Sequence, residues 1–397
     1  MVKKKYARDL NITQENMRFF EHPRIEQDDI QAVLDTLKKG DISWPDGATN
    51  ELETLFCKSF GVSYAVAHCN ATSAMFSAFL AIGLDNQSEV ICPTYTWWAS
   101  ISPAIFFNSK ITFCDSSEKT LTPSLEDIKK VITTHTKAVV LPHLWGEIGE
   151  LQEISAFCKK NNLFLIEDNS HGIGARIGKK YVGTFGDICI TSLQKNKGVS
   201  GGEGGVLSTN SKELFEKSLL LGHYERLKYV SDESLKKFST TGGGLKFRIH
   251  PLASALALSK LKVVKKQIQI ENTLMNIFRK EISKIEFVKI FATPQKDFAR
   301  GAGFSFRFHL DATRVGLDKS NLLQKLSKNG FPVTDEYYPL LHKQELFKKF
   351  ALGKSFPVIE EIHPNLIAHP VFRRGKKSEV TEYTHNLRDK LESFQKH

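Results

Sequence analysis

The sequence predicts an α/β protein: a large, mostly parallel, seven-stranded sheet domain flanked by helices, followed by a smaller C-terminal α+β domain. Three observations lead there. Between about residues 62 and 208, brief apolar runs alternate with amphipathic segments. A helical period opens at Pro251 and runs too far to belong wholly to the sheet layer. Beyond it, a strand-like GFSFRFHL precedes a helical NLLQKLSKN.

The strand candidates, in order, are 64–68, 89–92, 110–114, 138–141, 163–167, 188–192 and 205–208. Most are short, rich in β-branched or aromatic residues, and bounded by Pro, Gly, Asn or Asp. Helical periods lie between them at 74–82, 125–131 and 151–160. Strand–helix alternation of this kind gives a parallel sheet covered on both faces, with ligands bound where strands end and loops begin. Proline suits the first turn of a helix, so the period at Pro251 should start there. It bridges into the second domain. The expected division is 1–260 for the large domain with its N-terminal segment and 261–397 for the small one.

Bulk properties remove several function classes. No apolar stretch approaches the ~18 residues of a membrane span. The basic start, MVKKKYARDL, runs into polar sequence with no apolar core, unlike a secretory leader. Six cysteines are scattered, with no CxxC and no metal-ligand spacing. Reduced thiols and a cytoplasmic location are the expectation, with no metal. The net charge of +11 comes from dispersed pairs such as Lys129-Lys130 and Lys265-Lys266. No nucleic-acid signature accompanies them, so the charge suits a protein that handles anionic small molecules.

The chemistry starts at IEDNSHGIGA, where Asp168 follows an apolar strand. A strand-end aspartate often only caps the next turn. The next strand changes its meaning, because ICITS runs into LQKNKGVSGGEGG, a glycine-rich loop carrying Lys195 and Lys197. A lysine amine beside an acid at the active end of a sheet is what pyridoxal phosphate (PLP) requires. The lysine holds the cofactor as a Schiff base, and a carboxylate keeps the pyridine nitrogen protonated. A phosphate cradle is available at HCNATSAM, where a strand meets a helix that should begin near Ser73. Unpaired amides and the helix dipole favour a dianion there, with hydroxyls from Thr72 and Ser73. Ser192 offers another. In PTYTWWAS, adjacent Trp97 and Trp98 are either packing anchors or, at Trp97, a ring stacked on the cofactor.

These segments together resemble the nucleotide-sugar aminotransferase family, the DegT–StrS group of fold-type-I PLP enzymes. The resemblance runs from about residue 18 into the C-terminal region. Asn70-Ala71-Thr72-Ser73-Ala74 is similar to the family's phosphate turn, with Ala71 where glycine is common. Thr96-Trp97 resembles the position whose ring stacks on PLP, and Glu167-Asp168-Asn169-Ser170-His171 resembles E-D-x-A-Q/H. By that likeness Asp168 pairs with the pyridine nitrogen and His171 contacts the cofactor near its phenolic oxygen. Ser192 to Lys197 resembles S-F-x-x-x-K, which selects Lys197 over Lys195 as the Schiff-base lysine. GLKFR resembles G-x-N-x-R, so Lys246 is expected to reach the PLP phosphate of a second subunit. Tyr337-Tyr338-Pro339 and His342 resemble Y-P-x-x-H, which puts Tyr338 and His342 near the acceptor.

The likeness implies a homodimer with shared active sites and a ping-pong reaction. Glutamate or glutamine would leave its amino group on PLP, and a keto-sugar, nucleotide-linked in this family's usual pattern, would collect it. Amination of a free cyclitol ketone, sugar dehydration on the same cofactor, and a non-catalytic PLP-binding regulator are the alternatives. Loss of the lysine marks some dehydrating members, so Lys197 argues for transfer.

Overall fold

Seven apolar runs do pair into one sheet. The computed structural model describes residues 16, 18–20, 25–43 and 47–395; the N-terminal stretch read above for a leader lies outside them. The strands are β1 (Tyr64–His68), β2 (Glu89–Pro93), β3 (Lys110–Cys114), β4 (Thr136–Pro142), β5 (Phe164–Asp168), β6 (Ile188–Ser192) and β7 (Gly205–Thr209). Their spatial order is β1-β7-β6-β5-β4-β2-β3. All pairings are parallel except those of β7, which runs antiparallel to both β1 and β6. Strands β2, β6 and β7 are buried at every position. That is the consequence of covering both faces with helices, and it explains why they read as continuous apolar runs.

Helix α1 (Ala71–Ala81) begins two residues before the expected start. The cause is local: the Asn70 side chain accepts from the Ser73 amide at 2.8 Å, making Asn70 the cap. Helix α2 (Pro251–Ile282) has Pro251 in its first turn and His250 as its cap. Its first half packs Ala257, Leu258, Leu261 and Val264 against residues of β1 and β7. Its second half puts Leu274, Met275, Phe278 and Ile282 into a separate core. That core is built on an antiparallel sheet of β8 (Val288–Ile290), β9 (Phe306–Leu310), β10 (Thr334–Asp335) and β11 (Leu366–His369), in the order β8-β9-β11-β10.

Two segments cross between these bodies. Phe19, near the N-terminus, packs in the C-terminal core. Conversely, Tyr338, Leu341, Phe347, Phe356 and Ile359 join the core beneath β2 and β3 of the large sheet. The second crossing brings residues 337 and 338 to the carboxyl ends of the large sheet's strands. Among the described residues, no helix is long and apolar enough to cross a membrane.

Candidate active site

Alternation along β5 gives two adjacent acids opposite tasks. Glu167 is fully buried; its carboxylate accepts from the amides of Gly183, Phe185 and Gly186 at 2.6–2.8 Å and pairs with His143 Nε2 at 2.9 Å. It therefore fixes the GTFGD loop. Asp168, the next residue, faces a cavity of about 380 Å³ at the carboxyl end of the sheet. It accepts from Ser100 Oγ at 2.6 Å and the Ser170 amide at 3.2 Å.

Strand β6 ends at Ser192 and the following turn buries Lys197 against the same cavity. Its ammonium lies 3.9 Å from the centre of the Phe304 ring. Burial lowers the Lys197 pKa to about 8, while the charge of Asp168 acts in the opposite direction. A minor but usable share of the amine is thus neutral near pH 7. Lys195, two residues earlier, is exposed and does not line the cavity.

The opposite wall is the start of α1. Ala71 and Thr72 line the cavity in its first turn, where amides lack helical partners. Gly205 at the head of β7 passes directly beneath: a Cβ there would meet the Ala71 nitrogen at 2.5 Å. Only glycine permits that approach. Ser73 is turned aside, with its hydroxyl 3.3 Å from Cys69 Sγ, and is not on the cavity wall. Ser192 and Trp97 are on it; Trp98 is not. The Trp97 ring, 40% exposed, lies 4.9 Å from that of Tyr338.

His171 and Tyr338 also line the cavity. His171 Nδ1 accepts from the Trp145 amide at 3.3 Å, and Nε2 lies 3.4 Å from the Tyr338 hydroxyl. Both ring nitrogens are therefore engaged within the protein. The His171 ring stacks on Phe304 at 4.4 Å. Burial, with the positive charges of Lys197 and Arg307, holds its pKa well below the usual histidine range.

Two expected residues stand elsewhere. His342 is held between Thr94 Oγ1 at 2.6 Å and Glu360 at 2.9 Å, outside the cavity, where it ties the 338–360 segment to the end of β2. Lys246 is exposed and does not enter its own chain's cavity. Its neighbour Phe247 accepts from the Cys69 amide at 2.6 Å, so this segment runs beside the phosphate cradle. Among the described residues lining the cavity, Lys197 is the sole lysine or arginine. Among the described residues there is no His, Cys, Asp or Glu cluster suited to a metal.

Sequence reasoning missed Ser100, Trp145 and Phe304. Ser100 sits within the quoted PTYTWWAS, but its partner Asp168 lies 68 residues away. Trp145 carried a faint signal in the HLWG run, and Phe304 carried none.

The cavity meets the needs of PLP: a lysine with a depressed pKa, an acid free to face the ring nitrogen, and a helix start opened by a required glycine. The profile of the DegT/DnrJ/EryC1/StrS aminotransferase family matches residues 23–388. Among sequence relatives, a Vibrio cholerae protein named GDP-perosamine synthase is 27% identical over 342 residues, 85% of this chain and 89% of its own. The enzyme of that name from Escherichia coli O157:H7 is 32% identical over 248 residues, 62% of this chain and 66% of its own. Among solved structures, an aminotransferase from Psychrobacter cryohalolentis superposes with a TM-score of 0.86 at 21% identity, covering 95% of this chain and 99% of that one. The chain belongs to the DegT/DnrJ/EryC1/StrS aminotransferase family, whose members use PLP.

Proposed function

We propose that this aminotransferase moves an amino group from glutamate or glutamine to a nucleotide-linked keto-sugar in two half-reactions. The observation that carries this reading is the buried Lys197 with its pKa near 8, facing one cavity with Asp168. Names borne by relatives such as GDP-perosamine synthase support a sugar acceptor on a nucleotide, and the +11 net charge suits an anionic one.

Bound PLP supplies an electron sink when the bond between carbon and hydrogen breaks. Asp168 holds the positive charge of the ring nitrogen, and Ser100 keeps its carboxylate oriented. The Ala71 and Thr72 amides, with the hydroxyls of Thr72 and Ser192, receive the phosphate, while Ser73 supports that turn from behind. Trp97 covers one face of the ring. Lys197 holds the cofactor and then, as a free amine, takes a proton from one carbon and returns it to another. Tyr338 borders the acceptor; His342 holds the segment that carries it.

A dianionic phosphate beside a helix start calls for a cation, and among the described residues lining the cavity Lys197 is the one lysine or arginine. A homodimer in which Lys246 of each chain serves the other's phosphate meets that need. Six free thiols suit a cytoplasmic enzyme.

Purified protein with PLP, glutamate or glutamine and a panel of nucleotide-linked keto-sugars should yield an amino-sugar, identified by mass spectrometry, with stoichiometric loss of the donor. A deoxy product without loss of donor would replace transfer by dehydration. Amination of a free cyclitol ketone but of no nucleotide sugar would move the acceptor class.

A further inference from the structure

A second, smaller niche lies between helix α2 and the loop that leaves β4. Trp145 and Gly146 take successive positive φ values, 56° and 79°, which turn that loop back toward the helix. Asn272, Met275 and Arg279 line the niche from one face of α2, at the three- and four-residue spacing that stacks side chains. Glu271, Arg300 and Phe306 join them around a space of about 30 Å³.

The niche is ionic, and its charges do not balance. Glu147 is buried and both its carboxylate oxygens are engaged. Oε1 accepts from Arg279 at 3.3 Å and pairs with Arg300 at 2.5 Å. Oε2 accepts from the Thr293 amide at 2.6 Å and hydroxyl at 2.7 Å. Glu271, the one acid in the lining among the described residues, accepts from Arg373 and Gln267 with one oxygen and from the Gly303 amide with the other. Three guanidiniums thus meet two carboxylates that are already occupied. Arg279 gives Nη1–H to the Phe291 carbonyl at 3.2 Å and Nη2–H to Glu147. Its Nε–H is buried and has no acceptor among the described residues. Burial and the neighbouring Arg300 charge lower the Arg279 pKa to about 10, the response of a cation short of counter-charge.

A buried donor without an acceptor and a buried surplus charge are both unfavourable. A water molecule would answer the first and leave the second. One small anion answers both. About 10–15 Å³ admits a single water, so this space accepts an ion somewhat larger and excludes a carboxylate or phosphate group. Met275 and the Phe306 ring, which the Arg279 guanidinium covers at 4.6 Å, supply apolar walls suited to a weakly hydrated ion. We propose that this niche binds a halide, chloride in ordinary buffers, between Arg279 Nε–H and the Arg300 guanidinium. The bound ion fastens the second half of α2 to the loop at 145–147. The site is separate from the cavity of Lys197 and does not depend on how that cavity is read.

Two measurements on the PLP-loaded protein test this. Crystals soaked in sodium bromide should show an anomalous bromine peak within hydrogen-bond reach of Arg279 Nε. Water there without an anomalous signal overturns the site. In solution, replacing sodium methanesulfonate by sodium chloride at constant ionic strength holds screening equal. The melting temperature should then rise by about 2 °C and saturate with chloride. No chloride response overturns the proposal even where bromide appears in the crystal, since that would be binding at crystal concentration only. Arg279→Gln evens the charges while Arg300 stays on Glu147, so its melting temperature should be the same in both salts. A chloride response equal to that of the unmutated protein overturns the assignment to Arg279. The bromide peak, read in the unmutated protein, decides the matter if that variant does not fold.

Discussion

The two ends of the large sheet each hold a carboxylate, and they treat it differently. At the amino end Glu89, fully buried, accepts from Lys110 at 2.5 Å, Thr136 at 2.7 Å, Thr112 at 2.8 Å and Thr133 at 3.0 Å. Burial pushes its pKa up, and those hydrogen bonds outweigh that, leaving it below the usual range. At the carboxyl end Asp168 has donors in Ser100 and the Ser170 amide, and its remaining capacity opens on the cavity. A carboxylate ringed by donors is a fastening. One that keeps part of its capacity for the cavity is available to a ligand. Glu167 shows the same contrast within one strand, since its four partners leave it nothing to offer Asp168's cavity.

The largest expected effect at the open end is that of Lys197→Ala. Turnover should fall by at least about 10⁴-fold, while PLP still binds without being fixed by borohydride. Mass spectrometry of the reduced protein reads the label directly, and a label on Lys195 would break the assignment. Next comes Asp168→Asn, which should lower turnover by about 10²–10³-fold. Because the Asp168 charge raises the Lys197 pKa, its loss should also shift the amine's titration below about 8. Near-native turnover would make Asp168 another fastening. Lys246→Ala should weaken PLP retention by about ten- to a hundred-fold without dissolving the proposed dimer. Mixed dimers of Lys197→Ala with Lys246→Ala contain one intact site and should recover activity at low PLP. No recovery after verified subunit exchange would exclude action between subunits.

The smallest effect on catalysis belongs to the closed end. Glu89→Gln should leave turnover within about two-fold and cost about 1–3 kcal/mol of stability at pH 7. Its folded pKa is depressed, so that stability is present above the unfolded value near 4.3 and is lost as the pH falls through the folded one. The difference in melting temperature between the two proteins should close in acid. A large loss of turnover instead would erase the distinction between the two ends.

Much of this was legible in the chain, and the pattern of what was not is physical. Strands such as 64–68, 110–114 and 188–192 emerged with the bounds their apolar runs suggest, because burial on both faces leaves a plain signal. The motif residues Asp168 and Lys197 converge because consecutive strand ends of a parallel sheet share one edge. The start of α1 was misplaced by two residues because a side chain, Asn70, set it. Ser73 and His342 were expected at the cofactor or the acceptor, yet each is turned to a structural partner. Local motifs specify a residue's position along the chain, and the direction of its side chain is decided by neighbours such as Cys69 or Glu360. Phe304 was illegible because it follows Lys197 by more than a hundred residues and obeys no spacing rule.

Helix α2 has a mechanical consequence. At 32 residues it is about 48 Å of continuous rod, with one end set in the core beside the phosphate cradle and the other in the C-terminal core. Because both cores are fastened to one rod, neither can turn against the other unless the helix itself bends.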